Sequence, residues 1–178
     1  VRLFNETKEA LERQTATAEI LRVISSSTTD EQPVFEAIVE SASRLFDCNS
    51  GILLREGMNI FFRAGAGPQV TRAMVEEMQK NFPIPFDPEK NITSAVIAEC
   101  KTVEVPDTEG PGVPAIQATL ARMGNFRSIT YVPLQRDGVA IGAINVTHQD
   151  SSFKLDDKQL SLLKTFADTD RLSGTIEY

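Results

Sequence analysis

Helical and strand-like patterns of apolar residues alternate along the chain. Residues 1–25 contain no Gly or Pro and are rich in good helix formers, so they predict a first helix. The polar stretch SSSTTDEQP then begins a second helix, with Pro33 in its first turn, where the missing N–H does no harm. Further helices are predicted near 69–80, at 93–100, at 113–122 and from Asp156 onward.

Short apolar runs bounded by turn residues predict β-strands. They are expected at 51–55, at 59–64, at 102–105 and in the two halves of RSITYVPLQRDGVAIGAINV, residues 127–146. The two halves of this last stretch meet at Asp137-Gly138, a dipeptide that favours a tight antiparallel hairpin. Pro133 removes a hydrogen-bond donor inside its strand, so we expect it at a sheet edge or a bulge.

The order of these elements predicts an α+β fold. Short turns between neighbouring strands impose antiparallel pairing, and the helices between them can cover the faces of the resulting sheet. The last helix has a well-marked start. Asp156 can cap it, Gln159 can complete a capping box, and Leu155 with Leu160 can form a hydrophobic staple.

Composition and charge exclude several classes of protein. A chain of 178 residues that is 41% hydrophobic suits one domain, with an appended helix. The net charge of -7, without any run of Lys or Arg, argues against binding to nucleic acid or to an anionic membrane surface. The apolar stretches are far shorter than the roughly 18 residues that span a bilayer, so no direct membrane contact is expected.

The cysteines and the start of the sequence indicate where the protein acts. Cys48 and Cys100 lie far apart and form no metal or redox motif. Such sparse cysteine usage suits a reducing compartment, so we expect a cytoplasmic protein. Because the sequence starts at Val1 without Met or a signal peptide, we also expect it to be part of a longer protein.

The first 25 residues carry a weak coiled-coil pattern. The seam positions of the heptad are occupied by Phe4, Thr7, Leu11, Gln14, Ala18 and Leu21. Four of these side chains are apolar, which predicts that Phe4, Leu11, Ala18 and Leu21 contact a second copy of the helix. The alternative is a single amphipathic helix that packs on its own domain.

Four segments, ILRVISSSTTDEQPVFEAIVESASRLFDC, NITSAVIAECKTVEVPD, RSITYVPLQRDGVAIGAINV and KLDDKQLSLLKTFAD, follow one another in an order and spacing that resemble a GAF domain. The resemblance covers residues 20–168 and is greatest to GAF domains of bacterial sensor histidine kinases and nucleotide cyclases. It implies a GAF/PAS-like central antiparallel sheet of five or six strands. The N- and C-terminal helices would pack on one face, and shorter helices and loops would enclose a small-molecule pocket on the other.

The resemblance also implies a domain organisation and partners. Residues 1–25 would be a signalling or linker helix and 26–170 the GAF domain. The tail, 171–178, is of uncertain origin, because Gly174 and its polar neighbours depart from the apolar helix that leads to an output domain in relatives. Family members commonly dimerise through their terminal helices. We therefore expect a bacterial homodimer, covalently linked to upstream and downstream signalling domains of a two-component system.

Three functions remain open at this point. The first is a sensory module that binds a small molecule and biases a downstream kinase or cyclase. The second is a ligand-free dimerisation and relay module whose pocket is filled by its own aromatics, such as Phe82 and Phe86. The third is a cysteine-based methionine sulfoxide reductase, which needs a reactive thiolate that the surroundings of Cys48 and Cys100 do not suggest. The domain itself is therefore not expected to be an enzyme.

The resemblance places the pocket between the sheet and the loops at 82–91 and 107–113. The side chains expected to line it are Phe62, Phe86, Val105, Asp107, Ile116, Tyr131 and Asn145. Asn145 interrupts an apolar strand and Tyr131 carries a hydroxyl, so each either bonds to its neighbours or faces a ligand. For Asp107, which ends a strand before a Gly/Pro loop, capping of a turn is the alternative.

No cofactor or metal is expected, and an unidentified small molecule remains the expected ligand. Bilin-carrying relatives attach their chromophore at a Cys commonly followed by His, whereas Cys48 precedes Asn and Cys100 precedes Lys. The Asn-Lys-Phe-Asp-Glu set of cyclic-nucleotide-binding relatives has no counterpart in the sequence. Haem would need an axial ligand, and the single histidine, His148, sits among polar residues near a strand end.

Overall fold

Residues 1–26 and 30–169, which the computed structural model describes, form six helices and six strands. The helices are α1 (Arg2–Ser26), α2 (Gln32–Phe46), α3 (Arg72–Lys80), α4 (Ile92–Glu99), α5 (Ala115–Gly124) and α6 (Asp157–Ala167). The strands are β1 (Asn49–Glu56), β2 (Asn59–Ala66), β3 (Ile84–Pro85), β4 (Val103–Val105), β5 (Ser128–Arg136) and β6 (Val139–His148). The tail predicted at 171–178 lies outside the described residues.

The six strands form one antiparallel sheet in the order β3-β2-β1-β6-β5-β4. The predicted α+β fold with a central antiparallel sheet is confirmed. The sequence analysis missed β3, which lies in a Pro-rich segment interpreted as a loop. This strand contributes only Ile84 and Pro85 to the ladder, too few residues for an alternating pattern to show.

The hairpin of β5 and β6 has the predicted turn. Asp137 and Gly138 adopt φ angles of 52° and 74°, the left-handed pair that matches the twist of the flanking strands. The prediction for Pro133 is also confirmed. Strand β4 pairs with β5 only between Ile129 and Tyr131, so Pro133 lies on an edge that β4 leaves uncovered, next to a register shift after Leu134.

The sheet separates two apolar cores because successive residues of a strand face opposite sides. Ile144 and Val146 of β6 pack on one side with α1, α2 and α6. Ala143 of β6 and Tyr131 of β5 pack on the other side, with residues of α4. The expected packing of the N- and C-terminal helices on one face is therefore confirmed.

Helix α1 behaves differently in its two halves. Ala16 and Ile20 are completely buried in the core shared with α2 and α6. On another side of the same helix, Phe4 and Leu11 are 72% and 62% exposed. Ala18 is exposed as well, whereas Leu21 is half-buried and packs against the core. The helix thus packs on its own domain in its second half, as the alternative interpretation proposed, and keeps most of its heptad seam on the outside.

Within residues 1–26 and 30–169, no helix combines the length and the apolar character that crossing a membrane demands. The longest, α1, carries charged residues along its whole length.

Helix α6 begins with the predicted capping box. The Asp156 carboxylate accepts a 2.7 Å hydrogen bond from the Gln159 backbone N–H, and the Gln159 side chain accepts a 3.0 Å bond from the Asp156 N–H.

We expect Asp156→Ala to lower the free energy of unfolding by about 1 kcal/mol, measured by urea denaturation. The matched control is Asp157→Ala, which removes an exposed acidic side chain one position later. For this variant, a loss of only a few tenths of a kcal/mol in the free energy of unfolding is expected. Equal losses in the two variants would contradict the role of the cap.

Candidate functional site

A cavity of about 90 Å³ lies on the face of the sheet opposite α1, α2 and α6. Helices α3 and α5 form its roof. Helix α3 contributes Met74, Val75 and Met78, which share one side of the helix because Met78 follows Met74 by four positions and Val75 by three. No residue of α3 is fully buried, so this part of the roof is held by few contacts.

The floor of the cavity is a row of residues that crosses four strands. Gly65 of β2 is opposite Gly51 of β1, Gly51 is opposite Asn145 of β6, and Asn145 is opposite Tyr131 of β5. Residues directly opposite each other in an antiparallel pair share a face of the sheet. The row therefore gives the floor two glycines, an amide and a phenol, in that order.

The two glycines make room for an aromatic ring. A Cβ at Gly65 would lie 2.8 Å from the Phe62 ring, and a Cβ at Gly51 would lie 3.3 Å from it. Phe62 and Gly65 are an odd number of residues apart and would face opposite sides in a regular strand. They share the cavity side because a β-bulge shifts the register between β1 and β2. The Phe62 ring thus lies over a hollow that the glycines leave.

The Tyr131 hydroxyl marks a polar end of the site. Tyr131 is 4% exposed, and the Thr93 hydroxyl and the Gln117 amide are its polar neighbours. Burial raises the pKa of Tyr131 to about 12 although both neighbours act in the opposite direction, so the phenol is a neutral donor at physiological pH. Gln117 lies outside the cavity lining, and within the described residues neither its amide nitrogen nor its oxygen has a partner at ordinary hydrogen-bond geometry, so its contact with Tyr131 is a weak one.

Asn145 lies in the middle of the floor. Its backbone carbonyl accepts a 2.9 Å hydrogen bond from the Ser50 hydroxyl, whereas its side-chain oxygen lies 3.1 Å from the position of a Cβ on Gly51. The amide is half-buried and lines the cavity. Asn145, Tyr131 and Phe62 are the three sequence-predicted residues that the structure brings together here.

Phe86, Val105 and Ile116 lie outside the lining of this cavity. The Arg55 guanidinium lies 3.5 Å from the centroid of the Phe86 ring, so that ring is covered by a cation rather than by the roof. Val105 is buried in the core of the same sheet face, and Ile116 packs against that core. The roof expected from the loops at 82–91 and 107–113 is instead formed mainly by α3 and α5, although Phe82 does line the cavity.

Asp107 is held in an ion pair away from the cavity. Its carboxylate accepts hydrogen bonds of 2.9 and 3.1 Å from the Arg127 guanidinium, and a 3.0 Å bond from the Glu109 backbone N–H. The Glu109 bond first, and Arg127 second, keep the pKa of Asp107 below its ordinary value. The residue thus closes a turn, as the alternative interpretation proposed.

Several lining residues were not predicted from the sequence. The stripe of Val70, Met74 and Met78 was visible as an apolar side of the predicted third helix and could have indicated that this helix covers the pocket. The glycines of the floor carried no such signal. The remaining lining residues that the sequence analysis did not name are Asn49, Ser50, Leu53, Val75, Thr93, Leu120, Gly124, Phe126, Ile129 and Thr147.

The cysteines and the histidine have ordinary structural surroundings. Cys48 is 2% exposed, and burial, with a smaller contribution from Asp47, raises the pKa of its thiol to about 11. Cys100 is exposed at the end of α4. The His148 ring stacks on Phe153 at a centroid distance of 4.1 Å. In the described part of the chain, no group of three or more His, Cys, Asp or Glu residues could hold a metal ion.

Comparisons with known proteins place this geometry in a family. The sequence model of the GAF domain matches residues 30–169. Among solved structures, residues 122 to 287 of a methyl-accepting chemotaxis protein superpose with a TM-score of 0.68 at 20% identity, covering 88% of this chain and 94% of that one. A free methionine-R-sulfoxide reductase from Neisseria meningitidis, in complex with its substrate, gives 0.65 at 20% identity, with coverages of 96% and 94%.

A third solved structure is a domain assigned to a two-component sensor histidine kinase of Sinorhizobium meliloti 1021. Its TM-score is 0.59 at 15% identity, with 83% of this chain and 92% of that chain covered. At such identities these structures show the shared fold alone. A comparison with curated proteins found no match.

Proposed function

The chain belongs to the GAF domain family, and from that premise we propose that it is a sensory module of a multidomain signalling protein. The cavity is its small-molecule site, and the terminal helices carry its output. The observation that supports this proposal most directly is the arrangement of the two around one sheet: the cavity lies on one face, and α1, α2 and α6 pack on the other.

A single layer of strands connects the cavity to the helices. Asn145 faces the cavity, while its neighbours Ile144 and Val146 are buried against the terminal helices. Tyr131 and Val132 are divided between the two faces in the same way. A ligand changes the packing of the helices only if it binds one packing state better than the other, with a coupling of about 1–3 kcal/mol in typical cases.

The proposed output is a change in a homodimer formed through the terminal helices. Leu11 and Ala18 are exposed on α1, while Ala16 and Ile20 are buried on another side of it. The helix can therefore hold its own domain and a second copy at the same time. We place this dimer in a bacterial cytoplasmic histidine kinase of a two-component system, in keeping with the resemblance of the sequence and the fold shared with the Sinorhizobium domain.

Leu11→Glu is expected to weaken dimerisation at least tenfold, about 1.4 kcal/mol, because it introduces a charge into an apolar seam. Sedimentation equilibrium of the full chain measures the dissociation constant. Asn5→Glu is the matched control, since it adds the same charge on the side of α1 away from the seam and should change the constant less than twofold. Two results would refute dimerisation through the apolar seam of α1: a wild-type chain that stays monomeric at high micromolar concentration, or a dimer that both variants leave intact.

The second candidate function is a ligand-free relay module. It is favoured by the Phe62 ring, which occupies part of the hollow over the glycines and lies 5.9 Å from the Phe82 ring centroid. Native mass spectrometry of freshly purified protein distinguishes the two candidates. A retained small molecule supports the sensor, and a chain with nothing bound that also fails to respond to added small molecules supports the relay.

A catalytic role receives less support from the cysteines. The reductase from Neisseria meningitidis shares the fold, but its activity on free methionine sulfoxide needs its own evidence in this chain. The buried Cys48 thiol, with its raised pKa, stays protonated at neutral pH and is a poor nucleophile. We therefore infer a regulatory domain, in which replacing both cysteines by alanine leaves ligand binding and dimerisation unchanged.

A further inference from the structure

The side chains that line the cavity carry no charge. Among the described residues that surround it there is no Lys, Arg, His, Asp or Glu. Its polar groups come from Thr93, Tyr131 and Asn145, together with Asn49, Ser50 and Thr147. Several of these are already engaged: the Ser50 hydroxyl donates to the Asn145 carbonyl, and the Asn49 side chain accepts a long bond from the Gln69 N–H. The Thr93 and Tyr131 hydroxyls are hydrogen-bonding neighbours of each other.

A charged ligand would find no compensation in such a site. Removing an ion from water costs far more than removing a neutral group, and proteins offset the cost with an opposite charge or several strong hydrogen bonds. Thr93 lies in the first turn of α4, whose backbone N–H groups could face an anion, but these donors are partly used. The Ser94 N–H donates to the Asn91 side chain at 2.7 Å, so the helix is capped from within.

The neutral hydrogen-bonding groups suit a small polar substituent. The Tyr131 hydroxyl is protonated and can donate, and the Asn145 amide can donate and accept. Gln117 lies next to Tyr131 but outside the lining of the cavity. Its amide is 3% exposed and has no partner at ordinary hydrogen-bond geometry within the described residues, so the polar network behind Tyr131 is incomplete.

The walls and the volume suit one aromatic ring. Phe62, Phe82 and Phe126 line the cavity, and the Phe62 and Phe82 rings are tilted by 40°. Aromatic rings pack well in offset or tilted arrangements. An engineered protein cavity of roughly 150 Å³ is known to take up benzene, so a cavity of about 90 Å³ accepts no more than one ring, and accepts it only after part of the roof has moved outward. The part that is expected to move is α3, none of whose residues is fully buried.

We propose that the cavity selects a small uncharged aromatic molecule that carries one hydroxyl or carbonyl group, of about the size of phenol. The ring lies against the Phe62 and Phe82 rings, and the polar group faces Tyr131 and Thr93. This assignment rests on the proposed sensory function and specifies its ligand class. Amino acids, carboxylates and phosphate esters are disfavoured, because no lining residue offers a compensating charge.

The first test compares phenol with benzoate, which share a ring and differ in charge. Each is titrated into the 178-residue chain, and binding is followed by NMR through the backbone amides of Gly51 and Asn145. Phenol is expected to change the chemical shifts of these amides until they reach a plateau, with a dissociation constant in the millimolar range or below. Benzoate is expected to bind at least 100-fold more weakly. Equal or tighter binding of benzoate, or no shift of these amides with phenol, would overturn the proposal.

The second test removes one hydroxyl from the site. Tyr131→Phe is expected to weaken phenol binding about tenfold and to leave toluene binding unchanged, since toluene has the ring without the polar group. The control is Thr119→Ala, which removes an exposed hydroxyl of α5 and should affect neither probe. If Tyr131→Phe weakened both probes equally, the hydroxyl would be structural and the assigned orientation would be wrong.

The ligand class and the sensory function fail in different ways. Tight binding of benzoate in place of phenol contradicts the class and leaves a ligand-responsive module. Binding of phenol as expected, without any change of the dimer dissociation constant at saturation, supports the class and contradicts the sensory output. Sedimentation equilibrium with and without saturating phenol separates these results.

Discussion

Replacing Phe166 by alanine is expected to lower the free energy of unfolding by about 3–5 kcal/mol. The Phe166 side chain is fully buried in the core that α1, α2 and α6 form with the sheet. Its removal loses the free energy gained when a large ring is transferred from water into the core. It also leaves a cavity that the surrounding helices fill only in part. Domains are typically stable by about 5–15 kcal/mol, so the loss is a large share of the total. Urea denaturation followed by circular dichroism measures it.

Lys164→Ala is the control for this variant. Lys164 is exposed on α6, two residues before Phe166, and its removal should change stability by less than about 0.5 kcal/mol. Because Ile20 of α1 belongs to the same core, Phe166→Ala should also speed amide hydrogen exchange in the second half of α1. A loss below about 1 kcal/mol, or unchanged exchange near Ile20, would show that α6 does not hold α1 in place.

Much of the fold could be predicted because its signals are local. The left-handed pair Asp137-Gly138 fixes the hairpin, and Asp156 with Gln159 fixes the start of α6. Each of these signals depends on residues within four positions of one another. Strand β3 was missed for the complementary reason: two residues have no periodicity, and only their pairing with Asn59 and Ile60 of β2 defines the strand.

The candidate site was less predictable because it depends on register. Asn145 and Tyr131 could be identified from the sequence, since a polar group in an apolar strand needs a partner. Gly51 and Gly65 could not, because their position opposite Asn145 follows from the pairing of three strands and from a bulge. A shift of one residue in any of these pairs would turn the row away from the cavity.

Helix α1 shows a second limit of pattern-based prediction. The heptad positions predicted an apolar seam at Leu11 and Ala18, and both are exposed on the described domain. The periodicity could not reveal that Ala16 and Ile20 are buried against α2 and α6, because an apolar stripe does not specify its partner. The helix has two contact surfaces, and this is why an output through α1 is physically reasonable: a change in one surface reaches the other through a single rigid element.

Gly142→Ala is expected to destabilise the domain by about 2–3 kcal/mol. Gly142 lies in β6 opposite Leu54 of β1 and Leu134 of β5. A Cβ at this position would lie 2.2 Å from the Leu53 carbonyl oxygen and 3.1 Å from the Leu54 Cα. Both are backbone atoms of β1, so the two central strands have to move apart before alanine fits. Urea denaturation gives the change in the free energy of unfolding.

Gly51→Ala is the matched control in the neighbouring strand. Its Cβ would meet side-chain atoms at 3.1 Å on Asn145 and at 3.3 Å on Phe62, which can turn away, so a loss below about 1 kcal/mol is expected. Both substitutions lower the entropy of the unfolded chain equally, so their difference isolates the contact with β1. Equal losses would mean that β1 and β6 are not as close at Gly142 as described. A larger loss for Gly142→Ala shows that the two strands that join the cavity to the terminal helices are held at close range, which a signal through the sheet requires.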